Sequence, residues 1–223
     1  MCFSATASFT SAALLACASA LALSAKPARS AIPYALMPLL FGLQQLLEGL
    51  IWLKLHDHAE ALSCLSQGAL TQGYSLFSQV FWPAFVPLAV GLLETVAWRR
   101  WAIMACGLAG LVVSMYLLAA LLQLPVTAQL QGSHIVYSFN HSHVFAAGLL
   151  YLLASCASPL LSSHGTVRLF GVAAVVTAAL AYLIFELWFT SVWCYLAGLM
   201  SAIVLLHFFP RAQALFKGPW RLV

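Results

Sequence analysis

Seven apolar runs, each long enough for about 20 helical residues, alternate with short polar breaks along this chain of 223 residues. With fuzzy ends they cover 5–25, 31–54, 73–97, 101–123, 143–162, 166–186 and 188–209. The pattern predicts an all-α fold: one domain over 1–223, a polytopic integral membrane bundle of seven transmembrane helices. Lys26-Pro27-Ala28-Arg29-Ser30 closes the first run, and Trp98-Arg99-Arg100-Trp101 the third. Ser162-Ser163-His164-Gly165 closes the fifth. Only a tight segment around Glu186–Ser191 divides the last two runs, which predicts a helical hairpin. Two connections are longer, at roughly 55–72 and 124–142 by the same hydropathy cuts. In the second of these, Gly132 to Phe139 is rich in β-branched and aromatic residues and reads as extended.

Composition agrees with lipid as the main solvent. The chain is 64% hydrophobic and 6% charged, with a mean hydropathy of +0.99, where a soluble domain carries about 25% charged residues. A formal charge of +4, scattered in ones and twos, gives no stripe for a nucleic acid. Residues 1–11 hold no Lys or Arg. A secretory signal would need positive charge there, so the first run is read as a retained helix.

The sparse charges have sides. Lys26, Arg29, Arg99, Arg100, Arg168, Arg211, Lys217 and Arg221 fall in alternate connections, and only Lys54 falls in the other set. Positive residues stay cytoplasmic, which predicts an outer N-terminus and a cytoplasmic C-terminus. His56, His58, His134, His141 and His143 lie on the opposite, outer side. Any chemistry is therefore expected there.

Within the second run, Gln44, Gln45, Glu48 and Trp52 share one helical face. Glu48 would lie roughly 9 Å from the outer end at 1.5 Å per residue. A carboxylate at that depth must be protonated, paired, metal-bound or facing water. Gly49 beside it allows another helix to approach closely. By depth, the same outer layer contains Gln79, Tyr116, Trp193 and Cys194. Glu94, beside Arg99 and Arg100, is expected to pair electrostatically at the inner surface. Of the in-helix prolines, Pro83 and Pro87 lie deep enough to shape a cavity, whereas Pro33 and Pro159 sit near helix ends.

Imidazole and carboxylate suit a transition metal such as zinc or copper, and Glu48, His134, His141 and His143 form the candidate ligand set. Ser142 is expected to cap the fifth helix, leaving His143 in its first turn. His56, His58 and His207 read as interfacial residues. The six Cys contain no C-x-x-C. Cys194 reads equally as a packed thiol or as a ligand or nucleophile.

The opening Met1-Cys2-Phe3-Ser4-Ala5-Thr6-Ala7-Ser8-Phe9 resembles the start of an uncharacterised bacterial family of small polytopic membrane proteins. Gln45-x-x-Glu48-Gly49-x-x-Trp52, His134-Ile135-Val136-Tyr137 and Ser191-x-Trp193-Cys194 are similar to its other signatures. The resemblance spans most of the chain. It implies a polytopic protein of the bacterial inner membrane and adds Tyr137 and Trp193, beside Gln45, as cofactor-binding candidates. It brings no reaction. Removal of Met1 would leave the Cys2 thiol beside a free amine, a metal-binding or nucleophilic pair; a disulfide with Cys64 is the alternative.

Three functions follow as expectations. The first is an enzyme with a metal- or thiol-containing outer site, in which Glu48, Cys2 and Cys194 act on a small molecule or lipid. The second is a proton, ion or solute transporter using Glu48. The third is a binding or sensory module. The last run lacks a Lys for a retinal Schiff base.

Overall fold

The structure is a computed structural model that describes residues 4–56, 64, 66–124, 126–132, 134–139 and 142–209. It is 83% helical. Helix α1 (Ala5–Ser24) starts at Ser4, whose hydroxyl accepts from Ala7 N. Helix α2 (Ile32–Leu55) follows a 3₁₀ turn at Arg29–Ala31. Helices α3 (Gln67–Ser75) and α4 (Trp82–Leu93) run on through a π turn at Leu76–Phe81. Helix α5 is Ala97–Gln123. An antiparallel hairpin of β1 (Thr127–Gln131) and β2 (His134–Ser138) comes next. Helix α6 (Val144–Leu152) passes through a π turn at Leu153–Ala157 into α7 (Ser158–Leu160). Helices α8 (Gly165–Phe185), α9 (Phe189–Leu199) and α10 (Ser201–Phe208) complete the described chain.

Among the described residues, five helical stretches are long and apolar enough to cross a membrane: Ala5–Ser24, Arg29–Leu55, Gln67–Leu93, Ala97–Gln123 and Gly165–Phe208. Val144–Leu160 is apolar but shorter. Gly165–Phe208 counts 44 residues, about 66 Å if it were straight. It is not straight. Thr166 Oγ1 and His207 Nδ1 lie 2.7 Å apart, so its two ends meet and it doubles back at the 3₁₀ turn Glu186–Trp188. Leu183, Phe145 and Trp101 are among the large apolar side chains left exposed, at 79%, 86% and 77%. Surfaces of this kind fit a bilayer environment.

The third helical stretch begins six residues before its hydropathy does. Ser66 caps it, its Oγ accepting from Ala69 N at 3.0 Å, which satisfies a free helix-start donor and lets the polar Gln67–Gly73 stretch be helical. Both π turns end just ahead of a proline, for one reason. A π turn bonds residue i to i+5, and Pro83 and Pro159 have no N–H to give to Ser78 and Ala154. Hydroxyls substitute: Tyr151 donates to Ser78 O at 2.7 Å, and Ser158 to Ala154 O at 2.5 Å. The carbonyl freed by Pro159 is thus satisfied by a neighbouring hydroxyl, as expected of this proline near a helix end.

Candidate functional site

On α2, Gln44, Gln45, Glu48 and Trp52 are all buried, Glu48 at 0% exposure, as their shared face requires. Gly49 gives α1 room: a Cβ there would lie 2.8 Å from the Phe9 ring. The carboxylate collects donors from three parts of the chain. Ser191 Oγ of α9 donates to Glu48 Oε1 at 2.6 Å. The Tyr137 hydroxyl of β2 reaches the same oxygen at 3.5 Å. Gln45 Nε2 donates to Oε2 at 3.3 Å. Ser191 lies in the first turn of α9, so the Glu48 carboxylate is met from the start of that helix.

A second polar layer backs the first. Trp82 Nε1 donates to Gln44 Oε1 at 2.7 Å. Because indole only donates, this fixes the amide orientation, and Gln44 Nε2 finds no oxygen or nitrogen acceptor among the described residues. The Cys194 thiol lies beside it, next to Tyr74 and within electrostatic reach of Glu48. Gln45 Oε1 and Trp193 Nε1 are likewise buried without partners among the described residues. A cavity of about 30 Å³ opens at Cys194 and Trp193, walled by Phe41, Trp82, Phe170 and Met200. Trp82 stacks on Phe41 at 3.8 Å.

The β-hairpin holds Tyr137 in place. Gln67 Nε2 donates to Ala128 O at 2.9 Å, Ala128 pairs with Tyr137, and the Tyr137 ring stacks on Tyr74 with centroids 4.4 Å apart. Strand side chains alternate faces. Ile135 and Tyr137 therefore point inward and are buried, whereas His134 belongs to the other face. His134 packs instead against Trp188, ring centroids 4.7 Å apart, and burial pushes its imidazole pKa below the usual 6.5. Thus β-strand parity separates Tyr137 from His134.

The other expected residues are placed as follows. His143 is exposed and caps α6 through a left-handed backbone, φ 59°. This corrects the expected Ser142 cap, since the Ser142 carbonyl instead accepts from the Tyr116 hydroxyl. Gln79 lines a separate small cavity with Leu117 and Phe139, and the Tyr116 hydroxyl donates to the Ser142 carbonyl, so a shared depth did not by itself imply convergence. Trp193 lines the main cavity and stacks on Phe189 at 5.4 Å. Cys2, His58 and His141 lie outside the described residues. Among the described residues, no three His, Cys, Asp or Glu side chains gather as a metal-holding group. Sequence reasoning gave no role to Ser191, Gln44, Tyr74 or Trp82. Ser191 carried a usable signal, being three residues before Cys194 and so on its helical face.

Between α4 and α5, Glu94 corrects another expectation. It takes no ion pair from Arg99 or Arg100. Its carboxylate accepts from Thr95 N, Val96 N, Ser162 Oγ, Ser163 N and Ser163 Oγ, at 2.6–3.0 Å. Arg99 Nη1 donates instead to the carbonyls of Leu161 and Ser162.

Fold and site together define a largely helical protein, suited to a lipid bilayer, with a buried carboxylate cluster where α2, α9 and the hairpin meet. The chain belongs to DUF6629, a family of unknown function, whose profile matches residues 1–217. No curated protein and no solved structure matches it.

Proposed function

We propose that this is a single-domain, seven-span protein of the bacterial inner membrane, N-terminus outside and C-terminus cytoplasmic. In this reading its outer third binds a small molecule and moves a proton to or from it at Glu48. The hairpin fold of Gly165–Phe208 supports two spans in that stretch, and the apolar Val144–Leu160 supports another. The observation that carries the function is the convergence of Ser191, Tyr137 and Gln45 on a Glu48 of 0% exposure. A buried ionisable group inside a membrane bundle is retained at a cost in stability, so it marks function. Gln44 Nε2, which has only the Cys194 thiol beside it, and Gln45 Oε1, buried without a partner among the described residues, are a donor and an acceptor that a bound polar group would satisfy. Cys194 belongs to the same pocket as a wall residue.

The test is thermal unfolding of the purified protein in lipid nanodiscs with a panel of small esters, amides and amines. At least one compound should raise the unfolding temperature of the wild type and not of Glu48→Gln. If every compound is without effect, or shifts both proteins equally, the reading fails.

A further inference from the structure

Ser191 and Glu48 are in the relation a nucleophile needs with its base. The hydroxyl donates to the carboxylate at 2.6 Å, within the range in which a base can take the proton. The base is itself oriented from its other oxygen by Gln45 at 3.3 Å. One turn along α2 from Glu48, Gln44 is completely buried, and its Nε2 donor has only the Cys194 thiol beside it, with no oxygen or nitrogen acceptor among the described residues. A buried N–H that meets only a thiol is weakly satisfied until an oxygen acceptor arrives. Trp193 Nε1, at the cavity wall, is a second buried donor. The cavity starts at Cys194, one turn along α9 from Ser191, and its walls are apolar and aromatic. Its volume of about 30 Å³ holds two or three groups the size of water or methyl, at about 10–15 Å³ each.

We propose that Ser191 is the nucleophile of an acyl-transfer site, with Glu48 as its base, acting on esters of short acyl groups such as acetyl or propionyl. The proposal rests on the Glu48 reading above and deepens it. Ser191 Oγ attacks the ester carbonyl carbon while its proton passes to Glu48 Oε1. The carbonyl oxygen takes the negative charge and meets the Gln44 N–H, and the acyl chain enters the cavity. Collapse breaks the bond to the alcohol oxygen, which leaves with the proton from Glu48. Water then repeats the sequence on the acyl-serine, giving a short carboxylic acid and free Ser191.

The test uses the full chain in nanodiscs with a fluorophosphonate probe, and with the p-nitrophenyl esters of acetate and decanoate. The probe should form an adduct that peptide mass spectrometry maps to Ser191. Labelling should disappear in Ser191→Ala, slow at least about 100-fold in Glu48→Gln, as loss of a general base does, and persist in Cys64→Ser. The acetyl ester should turn over and the decanoyl ester should not. The proposal is overturned if folded wild type gains no adduct at Ser191, if Glu48→Gln labels at the wild-type rate, or if both esters react equally. Failure of labelling while small esters still stabilise only the wild type ends the acyl-transfer inference and leaves the Glu48 site standing. Failure of both ends both.

Discussion

Glu94→Gln should destabilise the protein strongly at neutral pH and hardly at all in strong acid. The Glu94 carboxylate sits between two helix starts. Thr95 N and Val96 N point at it from the start of α5, and Ser163 N points at it from just before α8. Helix starts carry unsatisfied donors and partial positive charge. Burial alone would raise the Glu94 pKa, but the hydrogen bonds from Ser163, Val96 and Ser162 outweigh it and lower the value from 4.5 to about 2. That difference is worth about 3 kcal/mol. A carboxyl group whose pKa is depressed by folding adds stability above its unfolded pKa and loses it as pH falls to the folded one. Here the contribution is complete above 4.5 and gone near 2. A glutamine keeps the shape but cannot carry the charge, and it turns a donor toward groups that also donate. Paired unfolding scans of wild type and variant in detergent should therefore differ by about 6–12 °C at neutral pH, at 2–4 °C per kcal/mol. The gap should close as pH falls through the window. A gap of constant size across the window would refute the electrostatic account and leave only shape.

Three further outcomes are expected. Gly110→Ala should prevent folding to a monodisperse species in size-exclusion chromatography, because its Cβ would lie 1.9 Å from Pro83 O; Gly148→Ala, with nothing within 4 Å, should elute like wild type. Trp82→Phe removes the 2.7 Å bond to Gln44 and strands a buried acceptor, which should lower stability by about 1–3 kcal/mol in denaturant titration. In intact cells a membrane-impermeant maleimide should label the exposed Cys64 and spare Arg99→Cys and Arg168→Cys until the membrane is opened; labelling of either without opening would overturn the proposed orientation.

What could be read from the chain follows from the range of each physical rule. Helical periodicity acts within a few residues, so the buried face of Gln44, Gln45, Glu48 and Trp52 was legible, as were the polar breaks that end α1 and separate α7 from α8. Hydropathy averages over a window and therefore missed the capped, polar start of α3. Depth along a helix is legible, but rotation about its axis is not. Gln79 and Tyr116 share Glu48's depth and face elsewhere. The contact between Glu48 and Ser191 joins positions 143 apart, and no local rule predicts it. Strand parity was available and unused: with Tyr137 turned inward, an odd separation sends His134 to the opposite face.

The two buried glutamates show why burial alone does not identify a site. Glu48 and Glu94 are 0% and 3% exposed, both lie near helix starts, and both are met by hydroxyl and N–H donors instead of an ion pair among the described residues. They differ in how completely their surroundings are matched. Glu94 is met by five donors at 2.6–3.0 Å, three of them backbone N–H groups that the turns must place somewhere. It closes the hydrogen-bonding account of two turns and leaves nothing for a ligand to add. Glu48 accepts from the side chains of Ser191, Tyr137 and Gln45, two of them at 3.3 and 3.5 Å. Around it, Gln44 Nε2 has only the Cys194 thiol beside it, Gln45 Oε1 has no partner among the described residues, and a small cavity opens beside Cys194. Unmatched buried polar atoms lower stability, and a site that tolerates them is arranged for something else to complete it. Arg99 donates to the carbonyls of Leu161 and Ser162 and not to Glu94, whereas the under-matched amide atoms lie around Glu48. The matching of neighbouring polar atoms thus distinguishes a clasp at Glu94 from the candidate site at Glu48.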